Sequence, residues 1–335
     1  MNLSEIKYLA KPFSHIYVEE VAFSYELTKS ILKKFPSSNI IKIRHYKDIF
    51  NRSNQDFLAQ KYSKSLILAV NRGELLYPGA RVCQSFGNSN FYYTSNIMNC
   101  VYDCEYCYLQ GMYPSGNMVI FVNVEDYFKK MSEVLKKGPA YVCISYDTDL
   151  LAMENITGLT HKWIEFTEST PNLKIEIRTK SAYDTCCFKG CTDRVIFAWT
   201  LSPEIITHYY EHMAPSLSSR IESVKKAISY GLSTRLCFDP MIYVQDYRKI
   251  YSDFYSTVFS NIDCNKIVDA SLGLFRISAS YMKAMRKKRT CAITAYPYTN
   301  INGVCSYEQK KSDEMINFAR LELLKYIPEN KLFTD

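Results

Sequence analysis

The sequence predicts an α/β fold built around a partial (β/α)6 barrel of the TIM type. The chain has 335 residues, of which 47% are hydrophobic and 22% charged, so it can bury a large core. From about Met118 onwards, strand-length apolar runs alternate with helical patterns, which is typical of a parallel sheet with right-handed crossovers. Six such units are too few for an eight-stranded closed barrel, so we expect a partial one.

Residues 1–90 are expected to form an N-terminal α/β extension. Strand-like runs at residues 16–19, 39–43 and 65–70 accompany a helical pattern at residues 24–35. The polar and aromatic stretch that follows, residues 88–99, reads as a connection to the next domain.

Residues 91–278 are expected to form the partial barrel, with its active site at the carboxyl ends of the strands. The predicted strands are residues 118–122, 140–146, 173–179, 195–201, 234–242 and 267–276. The predicted helices are residues 124–137, 153–168, 217–230 and 247–262.

Residues 279–335 are expected to form a C-terminal unit that packs with the barrel. A basic helix is predicted at residues 280–289, a hairpin in the Tyr-, Asn- and Gly-rich stretch 290–307, and a closing amphipathic helix at residues 308–327.

The chain is expected to be cytoplasmic. Its N-terminus lacks the pattern of a secretory signal, and no run of 18 apolar residues is present, so we expect no membrane partner. In a reducing compartment the 12 cysteines are not expected to form a disulfide framework. Free cysteines such as Cys237 and Cys264 fit a packing role.

Three other cysteines have a spacing that indicates a metal centre. Cys100, Cys104 and Cys107 form a C-x3-C-x2-C motif just before the first barrel strand. Three thiolates in one loop can bind three irons of a 4Fe–4S cluster and leave the fourth iron open to another ligand. A structural zinc site is a weaker match, because it usually has four ligands in two separated pairs. A chance group of buried cysteines is disfavoured by the acidic residues between them.

This motif resembles that of radical S-adenosylmethionine enzymes, and its extension through Cys107-Tyr108-Leu-Gln110 resembles the spore photoproduct lyase family. The similarity covers essentially the whole chain. Further landmarks occur in the family's order: Lys11-Pro-Phe13, Thr148-Asp149, Arg178-Thr-Lys180, Asp239-Pro240 and Phe275-Arg276.

The resemblance implies a DNA-repair lyase that uses a 4Fe–4S cluster and S-adenosylmethionine. Such an enzyme converts spore photoproduct, a thymine dimer, into two thymines: a 5′-deoxyadenosyl radical abstracts hydrogen at C6, the inter-base bond fragments, and a hydrogen atom returns. The expected partners are DNA that carries the lesion and an electron donor such as ferredoxin or flavodoxin. We expect a monomer.

The resemblance also implies residue roles around the cofactor. The expected contacts of S-adenosylmethionine are Tyr106, Thr148, Lys180, Thr200, Ser202 and Asp239. Lys180 offers a point charge that suits a carboxylate, although an exposed strand-end lysine would look the same. For Asp239, capping before Pro240 is an equally good explanation. Tyr108 matches a tyrosine of the hydrogen-return relay. For Tyr106 and Tyr108 alike, packing beside the cluster is the alternative.

The hydrogen donor is a departure from the family pattern. Many relatives carry a donor cysteine at the place where this chain has Tyr146. Cys83 and Cys143 are the two candidates to replace it, with Cys83 favoured because it lies on the approach to the cysteine motif. Both rank above the cysteines of residues 186–191, which have no recognisable ligand spacing.

DNA contacts are expected in the C-terminal unit. The net charge of +7 is modest, but five of the cations form one basic segment: Lys283, Arg286, Lys287, Lys288 and Arg289. Tyr296 and Tyr298 follow this segment, and aromatic side chains beside cations suit an opened duplex. Arg276 matches a family arginine near the dimer. A solvated helix face is the alternative for the basic segment.

Two other functions stay open at this stage. A radical S-adenosylmethionine enzyme could act on RNA, a peptide or a small molecule instead, since the donor region is unusual. A nucleic-acid-binding module whose three cysteines hold zinc is the non-enzymatic alternative.

Overall fold

The structure, a computed structural model, describes residues 13–80 and 83–334. The landmark residues Lys11 and Pro12 lie outside that part. The strands are β1 (His15–Glu19), β2 (Asn39–Ile43), β3 (Leu66–Ala69), β4 (Tyr77–Pro78), β5 (Phe91–Tyr93), β6 (Ile97–Met98), β7 (Asp103–Cys104), β8 (Met118–Phe121), β9 (Ala140–Cys143), β10 (Leu173–Thr179), β11 (Val195–Thr200), β12 (Glu211–His212), β13 (Thr234–Met241), β14 (Asp269–Leu274), β15 (Arg276–Ser278), β16 (Thr299–Ile301), β17 (Val304–Ser306) and β18 (Leu332–Thr334).

The α-helices are α1 (Glu26–Lys34), α2 (Lys47–Phe50), α3 (Phe57–Tyr62), α4 (Leu109–Met112), α5 (Val124–Leu135), α6 (Glu154–Thr157), α7 (Leu159–Glu168), α8 (Glu204–Tyr210), α9 (Leu217–Ser229), α10 (Tyr247–Asn261), α11 (Ala279–Lys288), α12 (Ala292–Ala295) and α13 (Gln309–Leu323). Short 3₁₀ turns occur at Glu20–Ser24, Leu151–Met153, Thr185–Phe188, Cys264–Lys266 and Glu329–Lys331.

Two mainly parallel sheets form the centre of the molecule. One has the order β2-β1-β3-β8-β6, and the other has the order β18-β14-β13-β11-β10-β9-β5-β4. Strands β18 to β5 of the second sheet are all parallel, as βαβ connections require. Strands β3, β8, β9 and β11 are buried along their whole length, which explains their continuous apolar sequences. The predicted fold class is confirmed.

The first predicted barrel strand, β8, pairs with the N-terminal strand β3 over residues 66–69 and 118–121. Residues 91–98 join the two sheets, since Thr94 donates to the Cys143 carbonyl at 3.1 Å and Phe121 donates to the Asn96 carbonyl at 2.9 Å. The strands of the N-terminal extension thus share a sheet with β8. The division at residue 90 stays a prediction.

The second sheet curls into a trough whose inner face is polar. Arg235 of β13 donates to the Tyr141 hydroxyl of β9 at 2.7 Å and to Glu176 of β10 at 2.5 Å. Strands β13 and β9 are three positions apart in the sheet, so these contacts require strong curvature. Asp269 of β14 also binds Arg235, at 2.8 Å. The trough is therefore lined by paired charges, as burial of charged groups requires.

The C-terminal unit has the predicted helix, hairpin and closing helix. Strands β16 and β17 form the hairpin, and β17 also pairs with β15. The turn residues Asn302 and Gly303 both have positive φ, of 50° and 83°, which is typical of a two-residue Asn-Gly hairpin. In the described part of the chain, no helix has the length and apolar character needed to cross a membrane.

Candidate active site

The three motif cysteines lie in one loop, residues 100–113, which we call the cysteine loop. All three are free thiols; Cys104 is buried, and Cys100 and Cys107 are half-buried. Strand β7 of this loop pairs antiparallel with β12, and the buried Lys61 of α3 donates to the carbonyls of Cys100 and Tyr102, both at 2.7 Å. The loop is thus attached to the fold from two sides.

The end of the basic segment attaches the cysteine loop from a third side. Lys288 donates to the carbonyls of Gln110 at 2.7 Å and Tyr113 at 2.5 Å. Arg289 forms ion pairs with Asp103 and, at 3.4 Å, with Glu105. These two cations therefore stabilise the loop, whereas Lys283, Arg286 and Lys287 are exposed. The basic segment therefore has two parts: one binds the cysteine loop and the other is exposed on the surface. Its sequence alone did not reveal this division.

The three thiols fit a 4Fe–4S cluster in number, and two lysines place positive charge near them. Burial raises the pKa of all three, that of Cys100 to about 11, while the positive charges of Lys61 and Lys180 act to lower the pKa of Cys107. Among the described residues, no three His, Cys, Asp or Glu side chains are arranged around one metal-ion position. A cubane instead takes one thiolate for each iron, as three thiols on one loop can supply.

Tyr106 is fixed by a buried charge network. Its hydroxyl donates to Glu211, which also pairs with the fully buried Arg220 and accepts from the Ser202 hydroxyl at 3.1 Å. Burial acts to raise the pKa of Glu211, but the charges of Arg220 and Lys180 outweigh it and hold this pKa below its usual value. Glu211 is therefore an anion that orients Tyr106.

Lys180 and Thr200 border the same region. The Lys180 ammonium lies 5.5 Å from the centre of the Tyr106 ring, and Arg220 donates to the Thr200 carbonyl at 3.3 Å. The structure thus brings Tyr106, Lys180, Thr200 and Ser202 together, beside Cys104, whose thiol is within electrostatic range of Lys180.

Thr148 has the contact pattern expected of a ligand-binding residue. Its hydroxyl oxygen is buried and has no hydrogen-bond partner among the described residues. The neighbouring Asp149 carboxylate is fully used: it accepts from the Lys180 amide at 2.6 Å, the Thr179 hydroxyl at 2.7 Å and the Ala152 amide at 3.0 Å. Buried polar atoms are normally satisfied, so the Thr148 hydroxyl is suited to an absent ligand.

Asp239 lies on the inner face of the trough. Arg178 donates to its carboxylate at 3.1 Å, and the Ser271 hydroxyl donates at 2.8 Å. The alternative explanation was capping before Pro240. The carboxylate of Asp239 is instead fixed by partners on two other strands.

The two cysteine candidates for hydrogen return have different surroundings. The Cys83 sulfur lies 3.6 Å from the Tyr146 hydroxyl, and both residues are half-buried. Cys143 is buried in β9. Burial raises the pKa of the Cys143 thiol, and the charge of Glu176 adds to this effect.

The loop that carries Cys83 is anchored inside the trough. Phe86 is buried, with the centre of its ring 3.2 Å from the Arg235 guanidinium carbon. The same ring packs against Phe333 at 5.2 Å between centres.

Tyr108 lies next to this pair. Its hydroxyl donates to the Tyr146 carbonyl at 2.7 Å and is 3.3 Å from the Asp147 carboxylate. The rings of Tyr108 and Tyr146 are 5.8 Å apart between centres. The predicted relay tyrosine and the favoured donor candidate thus both contact the side chain of Tyr146.

Four of the six predicted DNA contacts line one groove of about 450 Å³ between α11 and the hairpin. These are Lys283, Arg286, Lys287 and Tyr298, with Asn300 as a further lining residue. Tyr296 packs against Tyr298 at 4.8 Å between ring centres. Arg276 lies on β15, which pairs with the hairpin strand β17.

Sequence reasoning missed Glu211, Arg220 and Lys61. Each is a buried charged residue, and none belongs to a recognisable motif. No signal in a single sequence would have distinguished them from surface charges.

The sheet is parallel and curled, a loop with three cysteines lies beside it, and polar side chains gather at the carboxyl ends of its strands. These features define the class of protein: a radical S-adenosylmethionine enzyme. The family model described as spore photoproduct lyase matches residues 12–331. The chain therefore belongs to the spore photoproduct lyase family. This confirms the predicted family and the predicted enzyme class, a DNA-repair lyase of the radical type.

Individual relatives agree with this membership. A spore photoproduct lyase of Clostridium acetobutylicum is 24% identical over 301 residues, which cover 86% of this chain and 84% of the relative. A mutant spore photoproduct lyase with bound AdoMet and dinucleoside spore photoproduct has a TM-score of 0.81 at 17% identity, covering 97% of this chain and 99% of that one. A spore photoproduct lyase complexed with dinucleoside spore photoproduct gives 0.79 at 17% identity, with the same coverage. These structures show the same fold.

Proposed function

We propose that this chain repairs spore photoproduct in DNA and returns the two thymines. One observation carries the proposal: in a chain of this family, three free thiols share a loop with Tyr106, whose hydroxyl donates to Glu211 and whose ring faces Lys180, at the carboxyl edge of the curled sheet. This edge is where parallel α/β sheets place their active sites.

Cys100, Cys104 and Cys107 would hold the 4Fe–4S cluster, and the other residues at this edge would hold S-adenosylmethionine. When bound, these groups together supply a 5′-deoxyadenosyl radical. Lys180 offers its charge to the methionyl carboxylate, and the buried Thr148 hydroxyl offers its unused donor and acceptor sites.

The remaining contacts fix the geometry of that site. Glu211 and Arg220 hold the Tyr106 ring in place, and Arg178 and Ser271 hold the Asp239 carboxylate. Side chains fixed in this way need no reorganisation when ligands bind, which favours one orientation of the reacting atoms.

DNA would bind along the groove between α11 and the hairpin. Lys283 and Lys287 are exposed there and suit phosphate oxygens, while Arg286 already donates to the carbonyls of Thr294 and Tyr296 at 2.8 and 3.2 Å. Arg286 therefore shapes the groove as well as adding charge. A damaged, poorly stacked step is less costly to extrude than an ordinary one, which helps the dimer reach the buried edge.

Cys83 is the better candidate for hydrogen return. Its sulfur faces Tyr146, whose place in the family pattern is that of the donor cysteine, and Tyr108 contacts the same residue. Cys143 is enclosed in a strand beside the charged Glu176 and Arg178. We propose Cys83 as the donor to the thymine radical.

Replacing Cys83 by alanine should lower the thymine yield by about tenfold or more, while consumption of the dimer continues, because the thymine radical is then quenched by other routes. Chromatography of the products from a dinucleotide substrate measures both quantities. Cys143→Ala is the matched control and should keep the normal product ratio. If Cys143→Ala diverts the products and Cys83→Ala does not, the assignment is reversed.

A one-electron donor such as ferredoxin or flavodoxin would reduce the cluster, and the protein would act as a cytoplasmic monomer.

The deciding experiment is anaerobic reconstitution with iron and sulfide, followed by reduction and addition of S-adenosylmethionine and dinucleotide spore photoproduct. We expect a brown protein that releases thymines. An intact cluster without conversion of the dimer would favour a different substrate. A colourless protein that retains zinc would instead support the nucleic-acid-binding module.

A further inference from the structure

Tyr146 stands between the proposed hydrogen donor and the predicted relay tyrosine. Its hydroxyl is 3.6 Å from the Cys83 sulfur, and its ring centre is 5.8 Å from that of Tyr108. The sequence marked Tyr146 only as a departure from the family, at the place of a cysteine. The structure places its hydroxyl in contact with Cys83, the proposed donor.

The Tyr146 ring is held in a defined orientation. It stacks on Tyr93 with 4.0 Å between ring centres and 26° between planes, and Tyr93 stacks in turn on Tyr77 at 5.1 Å. Stacking on Tyr93 and the tilted contact with the Tyr108 ring restrict the rotation of this side chain. The hydroxyl is therefore positioned at the sulfur rather than sampling solvent.

Tyr146 is also protected from ionisation. Burial raises its pKa, and the nearby Cys83 thiol adds to this effect. A neutral phenol that keeps its O–H bond at physiological pH is the form that can give up a hydrogen atom.

We propose that the Tyr146 hydroxyl returns a hydrogen atom to the Cys83 sulfur after Cys83 has given its own to the thymine radical. The inference rests on the proposed function, which supplies the Cys83 thiyl radical. In this step the Tyr146 O–H bond breaks and a Cys83 S–H bond forms. The thiyl radical is reduced to a thiol, Tyr146 is oxidised to a neutral tyrosyl radical, and no proton is left over. Tyr108 then passes its hydroxyl hydrogen atom to the Tyr146 oxygen: the Tyr108 O–H bond breaks, the Tyr146 O–H bond re-forms, and the neutral tyrosyl radical moves to Tyr108. The 5′-deoxyadenosine formed in the first hydrogen abstraction is the hydrogen source that returns Tyr108 to a phenol.

Tyr146→Phe tests this step because it removes the hydroxyl and keeps the stacked ring. With enzyme in excess over dinucleotide spore photoproduct, we expect a thymine yield within about twofold of the wild type, since Cys83 still has its own hydrogen. With substrate in excess, the number of turnovers should fall by about tenfold or more, because the thiyl radical is not reduced. Tyr77→Phe, at the far end of the stack and two rings beyond Tyr146, should behave as the wild type in both assays.

Two outcomes would overturn the inference alone: a Tyr146→Phe enzyme with the wild-type number of turnovers, or one that also loses the first turnover although it still holds its cluster. A wild-type protein that holds its cluster and repairs no dimer would overturn the proposed function as well.

As a second measurement, Tyr108→Phe should trap the radical on Tyr146, giving a tyrosyl electron paramagnetic resonance signal that narrows with ring-deuterated tyrosine. The absence of any tyrosyl signal in that variant would also contradict the relay.

Discussion

Replacement of Cys104 by alanine should abolish both the iron–sulfur absorption and the repair activity. Cys104 is the buried member of the three thiols and sits in β7, where it pairs with Glu211 of β12. An alanine there leaves two thiolates for a cluster that needs three, and no other cysteine belongs to the loop. We expect activity to fall by about a thousandfold or more, since the radical chemistry depends on the cluster.

Cys186→Ala is the matched control for this prediction. Cys186 is exposed and lies in a 3₁₀ turn outside the cysteine loop, so its loss should change neither iron content nor repair. Iron and sulfide analysis, visible absorption and thymine release are measured on both variants after identical reconstitution. A Cys104→Ala protein that still binds about four irons and repairs the dimer would show that the cluster is held elsewhere.

The fold could be predicted from the sequence because its strands are short apolar runs separated by amphipathic helices. The predicted bounds of β2 and β10 coincide with the observed ones; β8, β11 and β13 each end one residue earlier than predicted, and β3 is one residue shorter at each end. Periodicity does not encode which strands pair. The pairing of β8 with β3 therefore became visible only in the structure, as did the curvature that brings Arg235 to Tyr141.

The site was predictable where chemistry depends on local spacing. Three cysteines within eight residues predict a metal centre, and the structure places all three in one loop. Contacts between distant residues carry no such signature: Tyr106 and Glu211 are 105 positions apart, and Lys288 meets Gln110 across 178. For the same reason, Lys288 and Arg289 looked like part of a DNA-binding surface, although they bind the cysteine loop.

The buried pair of Glu211 and Arg220 gives the second large effect. Both side chains are fully buried, so neither charge is solvated by water. Removing one partner of such a pair leaves the other charge unpaired and typically costs about 3–5 kcal/mol. Glu211→Gln keeps the size of the side chain and a possible acceptor for Tyr106, but it removes the charge that Arg220 needs. We expect a loss of about 3–5 kcal/mol in the free energy of unfolding.

Urea unfolding of Glu211→Gln beside Glu222→Gln measures this cost. Glu222 pairs with Lys225 on the surface, with 58% of its side chain exposed, so its replacement should change the free energy of unfolding by about 1 kcal/mol or less.

The difference in the free energy of unfolding between wild type and Glu211→Gln should also depend on pH. Because the folded protein holds the pKa of Glu211 below its ordinary value of 4.5, the carboxylate stabilises the fold above that pH. The stabilisation is lost as the pH falls through the lowered pKa, so the two curves should converge in acid. A Glu211→Gln protein as stable as the Glu222→Gln control at neutral pH would show that Arg220 finds another partner.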